Sequence, residues 1–133
     1  MQTQIAYGQA VVTQMTFSQG VERAKELLKS EGFGILCEID VAKTFKEKIG
    51  AEFRPYVILG ACNPNLAHRG LAVEEQLGLL LPCNVVVQEV DGKAVISAVD
   101  ASKMLEVVGN AGLHEIATDA NARLQRFLDA IAS

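Results

Sequence analysis

Apolar positions in the first part of the chain recur at two spacings, one typical of strands and one typical of helices. Between Ile5 and Thr13 the apolar residues come without a helix stop and predict a first strand. The segment Thr16-Phe-Ser-Gln19 fits a capping box, so we expect a helix to begin there and to end at Gly32. The apolar stripe of this helix consists of Val21, Ala24, Leu27 and Leu28.

A second strand, a short helix and a third strand are predicted next. The alternating apolar positions of the second strand, which we expect to share one face, are Phe33, Ile35, Cys37 and Ile39. Asp40 is placed to cap a short helix that ends at Gly50. The run Tyr56–Cys62 is uncharged and apolar on both faces, which is typical of a strand inside a sheet. Asn63 as N-cap and Pro64 at the first helical position predict another helix.

The rest of the chain predicts a hairpin and two helices. Asp91-Gly92 lies between strand-like runs and favours a type I′ turn. Asp100 is expected to cap a short helix that ends near Gly109. The apolar stripe of a long final helix is Leu113, Ile116, Ala117, Ala120, Leu124, Phe127, Leu128 and Ile131. The predicted order is therefore β-α-β-α-β-α-β-β-α-α, in a single domain of residues 1–133.

Composition and charge narrow the classes of function. The chain has 50% hydrophobic and 21% charged residues, within the range of ordinary globular domains. Its net charge of -4 and the lack of a basic stripe argue against nucleic acid as a partner. Its first residues show neither a secretory signal nor a membrane span, so we expect a cytoplasmic protein without a membrane partner. In a reducing compartment its three cysteines would remain thiols.

The candidate catalytic residues are Cys62, Cys83 and His68. Cys62 precedes a predicted helix N-terminus, whose partial positive charge can lower the pKa of a thiol and make it a nucleophile. His68, about one turn into that helix, is close enough in sequence to act as a base. A packing role for the cysteines is the alternative, because free cysteine is among the most buried residue types.

Polar residues near the strand ends form a candidate ligand-binding set. Together with the two cysteines, the set comprises Glu38, Asp40, Arg54, Tyr56, Cys62, Asn63, Cys83 and Asn84. A cap role explains Asn63 equally well, and an ion pair with one of the acids explains Arg54. No metal site is predicted, because the chain has no Cys-x-x-Cys and no His-x-x-x-His spacing. The alternative is a tetrahedral zinc site that folding assembles from Cys37, Cys62, Cys83 and His68. The residues do not identify a cofactor.

Three segments together resemble a known family. They are Glu38-Ile-Asp40, Phe53-Arg-Pro-Tyr-Val-Ile-Leu-Gly-Ala-Cys-Asn-Pro64 and Gly78-Leu-Leu-Leu-Pro-Cys-Asn-Val85, and they are similar to the domain-of-unknown-function 302 family. The resemblance implies an α+β fold with TATA-binding-protein-like topology, in which helices pack on one face of an antiparallel sheet. It also implies a homodimer. The family's motif positions in this chain are Glu38, Asp40, Arg54, Tyr56, Cys62, Asn63, Pro64, Pro82, Cys83 and Asn84.

Four functions remain open from the sequence, and one of them is purely structural: a dimer whose cysteines are core residues and whose role lies in assembly. The leading hypothesis is a homodimeric domain that binds a small ligand or a partner around the two Cys-Asn pairs, since two polar pairs follow apolar segments without a complete catalytic set. The first alternative is a thiol-based redox or nucleophilic enzyme. The second is a metal or haem binding protein, with haem held noncovalently through His68 or a thiolate.

Overall fold

The computed structural model describes residues 2–133 and shows one antiparallel sheet of six strands with five helices. The strands are β1 Gln2–Ile5, β2 Gly8–Val12, β3 Gly34–Asp40, β4 Tyr56–Cys62, β5 Cys83–Val90 and β6 Lys93–Val99. The helices are α1 Phe17–Ser30, α2 Val41–Ile49, α3 Pro64–Val73, α4 Ala101–Glu106 and α5 His114–Ala132. The strand order across the sheet is β1-β2-β6-β5-β4-β3.

The helices begin and end where their local sequence predicts. Thr16 accepts a hydrogen bond from the amide of Gln19 at 3.2 Å, and Gln19 Oε1 accepts one from the Thr16 amide at 3.0 Å, which completes the capping box. Asp40 and Asp100 cap α2 and α4 through their carboxylates in the same way. Gly32, with φ of 83°, supplies the left-handed residue after α1.

The main core lies between one face of the sheet and the helices α1 and α5. Leu59 of β4, Val87 of β5 and Ile96 of β6 point toward these helices and are fully buried. Every apolar position predicted for the last helix is buried as well. The predicted antiparallel sheet with helices packed on one face is therefore confirmed.

A second apolar cluster continues the core beyond the end of the sheet. It joins α3, α4 and α5 through Leu66, Leu105 and Ile116, together with Leu77 from the short 3₁₀ helix Leu77–Leu80. At its border with the sheet lie the C-terminal end of β4 and the start of β5. The two Cys-Asn pairs therefore lie where the sheet meets the second cluster.

The predicted first strand is two strands. Residues 6 and 7 form a turn, so Ile5 ends β1 and Gly8 begins β2, and the two strands pair as a hairpin. Ala6 and Tyr7 are not residues typical of tight turns, which is why the sequence pattern gave no signal for this one. The later hairpin was predicted from Asp91-Gly92, whose φ angles of 52° and 77° both lie in the left-handed region.

The prediction that Phe33, Ile35, Cys37 and Ile39 share one face is wrong. Ile35 pairs with Ala61, whereas Cys37 pairs with Gly60, so Leu36 is an extra residue in β3 and the strand carries a β-bulge. An extra residue reverses the side on which all later side chains point. Phe33 and Ile35 therefore face the helices, and Cys37 lies exposed on the opposite face.

The opposite face of the sheet, which we call the outer face, is apolar across its centre. The strand register places two rows of side chains across its centre. One row is Thr3, Ala10, Ser97, Val86, Ile58 and Ile39, and the other is Val12, Val95, Gln88 and Tyr56. Neither row contains a charged residue.

Helix α2 lies against β4 and has no buried residue, although its pattern of apolar positions is that of an amphipathic helix. Its Phe45 contacts Phe53 edge-to-face, with ring centroids 5.3 Å apart. Ile49 is 72% exposed. None of the helices in residues 2–133 combines the length and the apolar character needed to cross a bilayer.

Candidate functional site

Cys62 and Cys83 line the same cavity, at the end of β4. Cys83 pairs with Ala61 across the strands, and Cys62 is the next residue along β4. The cavity that both residues line holds about 40 Å³ of space for water-sized atoms and is walled mainly by apolar side chains, among them Phe33, Leu66 and Met104. Both cysteines are half-buried, so neither is sealed in the core. The register turns the Cys83 side chain, opposite Ala61, toward the helices and the Cys62 side chain toward the other face, so the two residues border one cavity from different sides of the sheet.

Burial controls the protonation of both thiols. Desolvation raises the pKa of Cys62, and it raises the pKa of Cys83 to about 11, with a smaller contribution from the neighbouring Cys62. The sequence hypothesis expected the helix N-terminus to lower the pKa of Cys62, and the structure gives the opposite direction. A thiol with a raised pKa is protonated at neutral pH, so neither cysteine is an activated nucleophile.

Asn63 is buried and caps α3. Its Oδ1 accepts a hydrogen bond from the amide of Leu66 at 3.2 Å, so the cap that the sequence predicted is present. Its Nδ2 lies against Gly32, where a Cβ atom would be only 2.9 Å away. A Cβ atom added to Gly32 would also lie 3.2 Å from Nη1 of Arg123. This Nη1 donates a hydrogen bond to the carbonyl of Glu31 at 2.9 Å.

Two residues near this site were not predicted. The side chain of Arg123, like that of Asn63, ends next to Gly32, and Met104 contributes to the cavity wall. Both lie on helices far along the chain from the cysteines, and their only sequence signals were helical spacing and the polar face of α5. No local pattern could have assigned them to the site.

His68 and Asn84 lie apart from the cavity. His68 is exposed on α3 and is not among the residues that line the cavity. Asn84 pairs with Gly60, which pairs in turn with Cys37, so these three residues share the outer face. The structure therefore separates the side chain of Asn84 from that of its neighbour Cys83.

Glu38 and Asp40 have structural partners. Glu38 forms an ion pair with Lys25 of α1 at 2.7 Å, on the helix-covered side of the sheet. The Glu38 carboxylate raises the pKa of Lys25, chiefly through this hydrogen bond. Asp40 caps α2 by accepting from the amide of Lys43 at 3.0 Å. Neither carboxylate lines the cavity.

Arg54 and Tyr56 lie at the opposite end of β4 from the cysteines. Cys62 is six positions beyond Tyr56, a distance of roughly 20 Å along an extended strand. The Arg54 guanidinium lies 4.5 Å from the centre of the Phe53 ring, and its Nε donates to Gln88 Oε1 at 2.9 Å. This amide, rather than one of the predicted acids, is its partner. The candidate ligand-binding set therefore does not converge on one pocket.

Comparison with known proteins identifies the family of the chain. The family model "Domain of unknown function DUF302" matches residues 9–131. A crystal structure of an uncharacterized conserved DUF302 protein from Bacillus stearothermophilus superimposes with a TM-score of 0.88 at 34% sequence identity, and the match covers 96% of this chain and 99% of that one. No curated protein is similar enough to the chain to count as a match. The chain thus belongs to the DUF302 family, as its central cysteine motifs indicated.

Proposed function

We propose that the chain is a homodimeric domain that binds a small ligand in the cavity that Cys62 and Cys83 line. The observation that carries this proposal is the cavity itself, which the half-buried residues Cys62 and Cys83 and the buried residue Asn63 line at the end of the sheet. Mostly apolar walls with a few convergent polar groups are typical of ligand sites.

A binding role fits the site better than thiol catalysis. Burial raises the pKa of both thiols, which removes the thiolate that a nucleophile or redox cysteine needs. The cavity wall contains no imidazole or carboxylate that could take the proton. Ligand binding requires neither a thiolate nor a base.

The volume of the cavity limits the size of the ligand that it can hold. About 40 Å³ of accessible space is enough for a few atoms and too little for a metabolite, unless the surrounding helices move apart. Ala67 of α3 lines the cavity, so a larger side chain at this position would fill it. Ala72 lies on the same helix, is exposed and is not part of the wall, which makes it a matched control.

The test compares ligand-induced thermal stabilisation in the wild type, Ala67→Leu and Ala72→Leu. A set of small metabolites, cofactors and metal ions is screened for compounds that raise the unfolding temperature, since a ligand that binds only the folded state stabilises it. We expect at least one compound to stabilise the wild type and Ala72→Leu but not Ala67→Leu. Equal responses in all three proteins, or no response to any compound, would refute the cavity as the ligand site.

The outer face of the sheet supports the homodimer. Helices α1 and α5 cover one face, whereas Ile58, Val86 and Val95 on the other face are only half-buried by this chain. A strand that is apolar on both sides is typical of a sheet covered on both sides. A second copy of the chain, packed through its own outer face, supplies that cover with a surface that is apolar across its centre.

The dimer is tested by a charge placed in the centre of the outer face. Val86→Lys would bury an unpaired ammonium in the proposed interface and is expected to shift the protein from dimer to monomer while the chain stays folded. Leu79→Lys is the control, because Leu79 is 82% exposed and lies outside the sheet. Analytical ultracentrifugation at micromolar concentration measures the mass of each. A monomeric wild type, or a Val86→Lys dimer, would contradict the proposal.

A further inference from the structure

The wall of the cavity that Cys62 and Cys83 line offers a ligand very few polar atoms. Among residues 2–133, none that lines the cavity is charged or carries a hydroxyl group. The one amide side chain is that of Asn63, whose oxygen caps α3 and whose nitrogen lies beside Gly32. The Cys83 side chain faces the helices, whereas that of Cys62 points toward the outer face. A ligand inside the cavity therefore contacts mainly carbon.

Such a wall disfavours charged and strongly polar ligands. A polar group that leaves water for a carbon surface loses its hydrogen bonds and gains none, which costs free energy. Within residues 2–133, no three side chains of His, Cys, Asp or Glu are grouped so that they could hold a metal ion. Burial raises the pKa of Cys83 to about 11, so its thiol is uncharged at neutral pH. A hydrocarbon, in contrast, gains free energy when it leaves water for this wall.

The cavity is small but not sealed, so part of a larger ligand can enter it. Its accessible space of about 40 Å³ takes a few atoms. Ala67 of α3, Leu81 and Met104 of α4 line it and are only half-buried. Leu80 and Val108 are half-buried as well and pack against the same apolar cluster as Leu81 and Met104. Apolar surface therefore continues from the wall of the cavity to the outside of the molecule.

We propose that this cavity holds the end of an alkyl chain, whose remaining carbon atoms lie on the half-buried apolar residues outside it. The inference rests on the proposed function, because it names the chemical class of the ligand of the same cavity. Binding makes and breaks no covalent bond. The affinity comes from methylene groups that leave water, and each of them contributes about fourfold.

The first test measures the affinity of the wild type for straight-chain primary alcohols from butanol to octanol. The methyl signal of Met104 is followed by NMR in protein with isotope-labelled methionine methyl groups, and Met15, which packs against the main core, is the internal control. We expect the Met104 signal to shift with a dissociation constant that falls about fourfold for each added methylene. An affinity that does not depend on chain length, or an equal shift at Met15, would overturn the proposal.

Hexanediol with a hydroxyl group at each end is the matched ligand for hexanol. Whichever end enters the cavity carries a hydroxyl group to a wall that is mainly carbon. We expect hexanediol to bind roughly tenfold more weakly than hexanol, because its buried hydroxyl group is left without a hydrogen-bond partner. Equal affinities for the two compounds would show that no alkyl end is buried.

The site is tested with Ala67→Leu, which fills the cavity, and with Ala72→Leu, which changes an exposed position of the same helix. Ala67→Leu should lose the response of Met104 to hexanol, and Ala72→Leu should keep the affinity of the wild type. Binding of hexanol to Ala67→Leu with unchanged affinity would place the alkyl chain elsewhere and refute the assignment.

A measurement on the unmodified protein keeps the proposal testable if Ala67→Leu does not fold. Cys83 faces the helices and lines the cavity, so hexanol at about nine times its dissociation constant should slow the reaction of Cys83 with iodoacetamide roughly tenfold. Cys37 is the control, because it is exposed on the outer face and should react at an unchanged rate. The same rate at Cys83 with and without hexanol would contradict the proposal.

Failure of this inference and failure of the proposed function give different results. If a polar or charged compound stabilises the wild type but not Ala67→Leu, and no alcohol binds, the alkyl chain is the wrong ligand class and the binding domain stands. If neither the alcohols nor any screened compound affects the wild type, both fail.

Discussion

The three thiols should react with an alkylating reagent in a defined order, with Cys37 first and Cys83 last. Cys37 is exposed on the outer face, whereas Cys62 and Cys83 are half-buried at the cavity. The perturbation is iodoacetamide added to the folded protein at pH 7.5, with the modification of each cysteine followed over time by peptide mass spectrometry.

The rate at Cys83 can be worked out from its pKa. Because burial raises that pKa from 9.0 to about 11, the thiolate fraction at pH 7.5 falls by about 100-fold relative to an ordinary thiol. A more basic thiolate is also a better nucleophile, and this recovers about tenfold of the loss. Cys83 should therefore react roughly tenfold more slowly than an exposed, ordinary thiol, before restricted access slows it further.

The control is the same reaction in denaturant, where the three rates should become similar. The rate at Cys83 in the folded protein should also continue to rise with pH up to about 11, because its thiolate fraction is still increasing there. If Cys83 or Cys62 in the folded protein reacts as fast as Cys37, the cavity does not protect the thiols, and thiol catalysis becomes the better interpretation.

Two predictions concern stability. Because burial raises the pKa of Cys83 to about 11, the folded chain holds this proton more tightly than the unfolded chain, and the resulting stability is lost as the pH rises through that value. Urea titrations measure the difference in unfolding free energy between the wild type and Cys83→Ala, which should fall by on the order of 2 kcal/mol between pH 9 and 11. A difference that does not change with pH would contradict this prediction. Gly20→Ala should destabilise the fold by about 1 to 2 kcal/mol. The new Cβ would lie only 2.5 Å from Cβ of Ala94, and the cost of this overpacking is larger than the gain in helix propensity. In Gly70→Ala the new Cβ would meet the end of the flexible Leu77 side chain instead, so the unfolding free energy should stay within about 1 kcal/mol of that of the wild type in the same titrations. A larger loss of stability in Gly70→Ala than in Gly20→Ala would refute the packing argument.

Local chemistry made the helices predictable from the sequence. Thr16, Asp40, Asn63 and Asp100 cap helices through hydrogen bonds within three residues of themselves, so the relevant atoms are close together in the sequence. The apolar stripe of α5 depends on helical spacing alone. Features that depend on pairing between distant strands were harder to predict from the sequence.

The bulge at Leu36 shows this limit most clearly. Nothing in the alternation of β3 distinguishes it from a regular strand, because the extra residue is defined only by pairing with β4. The same limit applies to the candidate site. Sequence reasoning grouped Arg54 and Tyr56 with Cys62 because all three lie near the ends of predicted strands, but the length of a straight strand keeps them apart.

Leu36 has a further effect on how the molecule meets other molecules. β3 is an edge strand, and a straight, exposed edge is a template on which another chain can add a strand and begin to aggregate. The bulge breaks the regular ladder of free backbone groups, and the ion-paired carboxylate of Glu38 adds a charge to the strand. Growth of the sheet from this side into a fibril is thereby discouraged, even though Leu36 itself is 67% exposed.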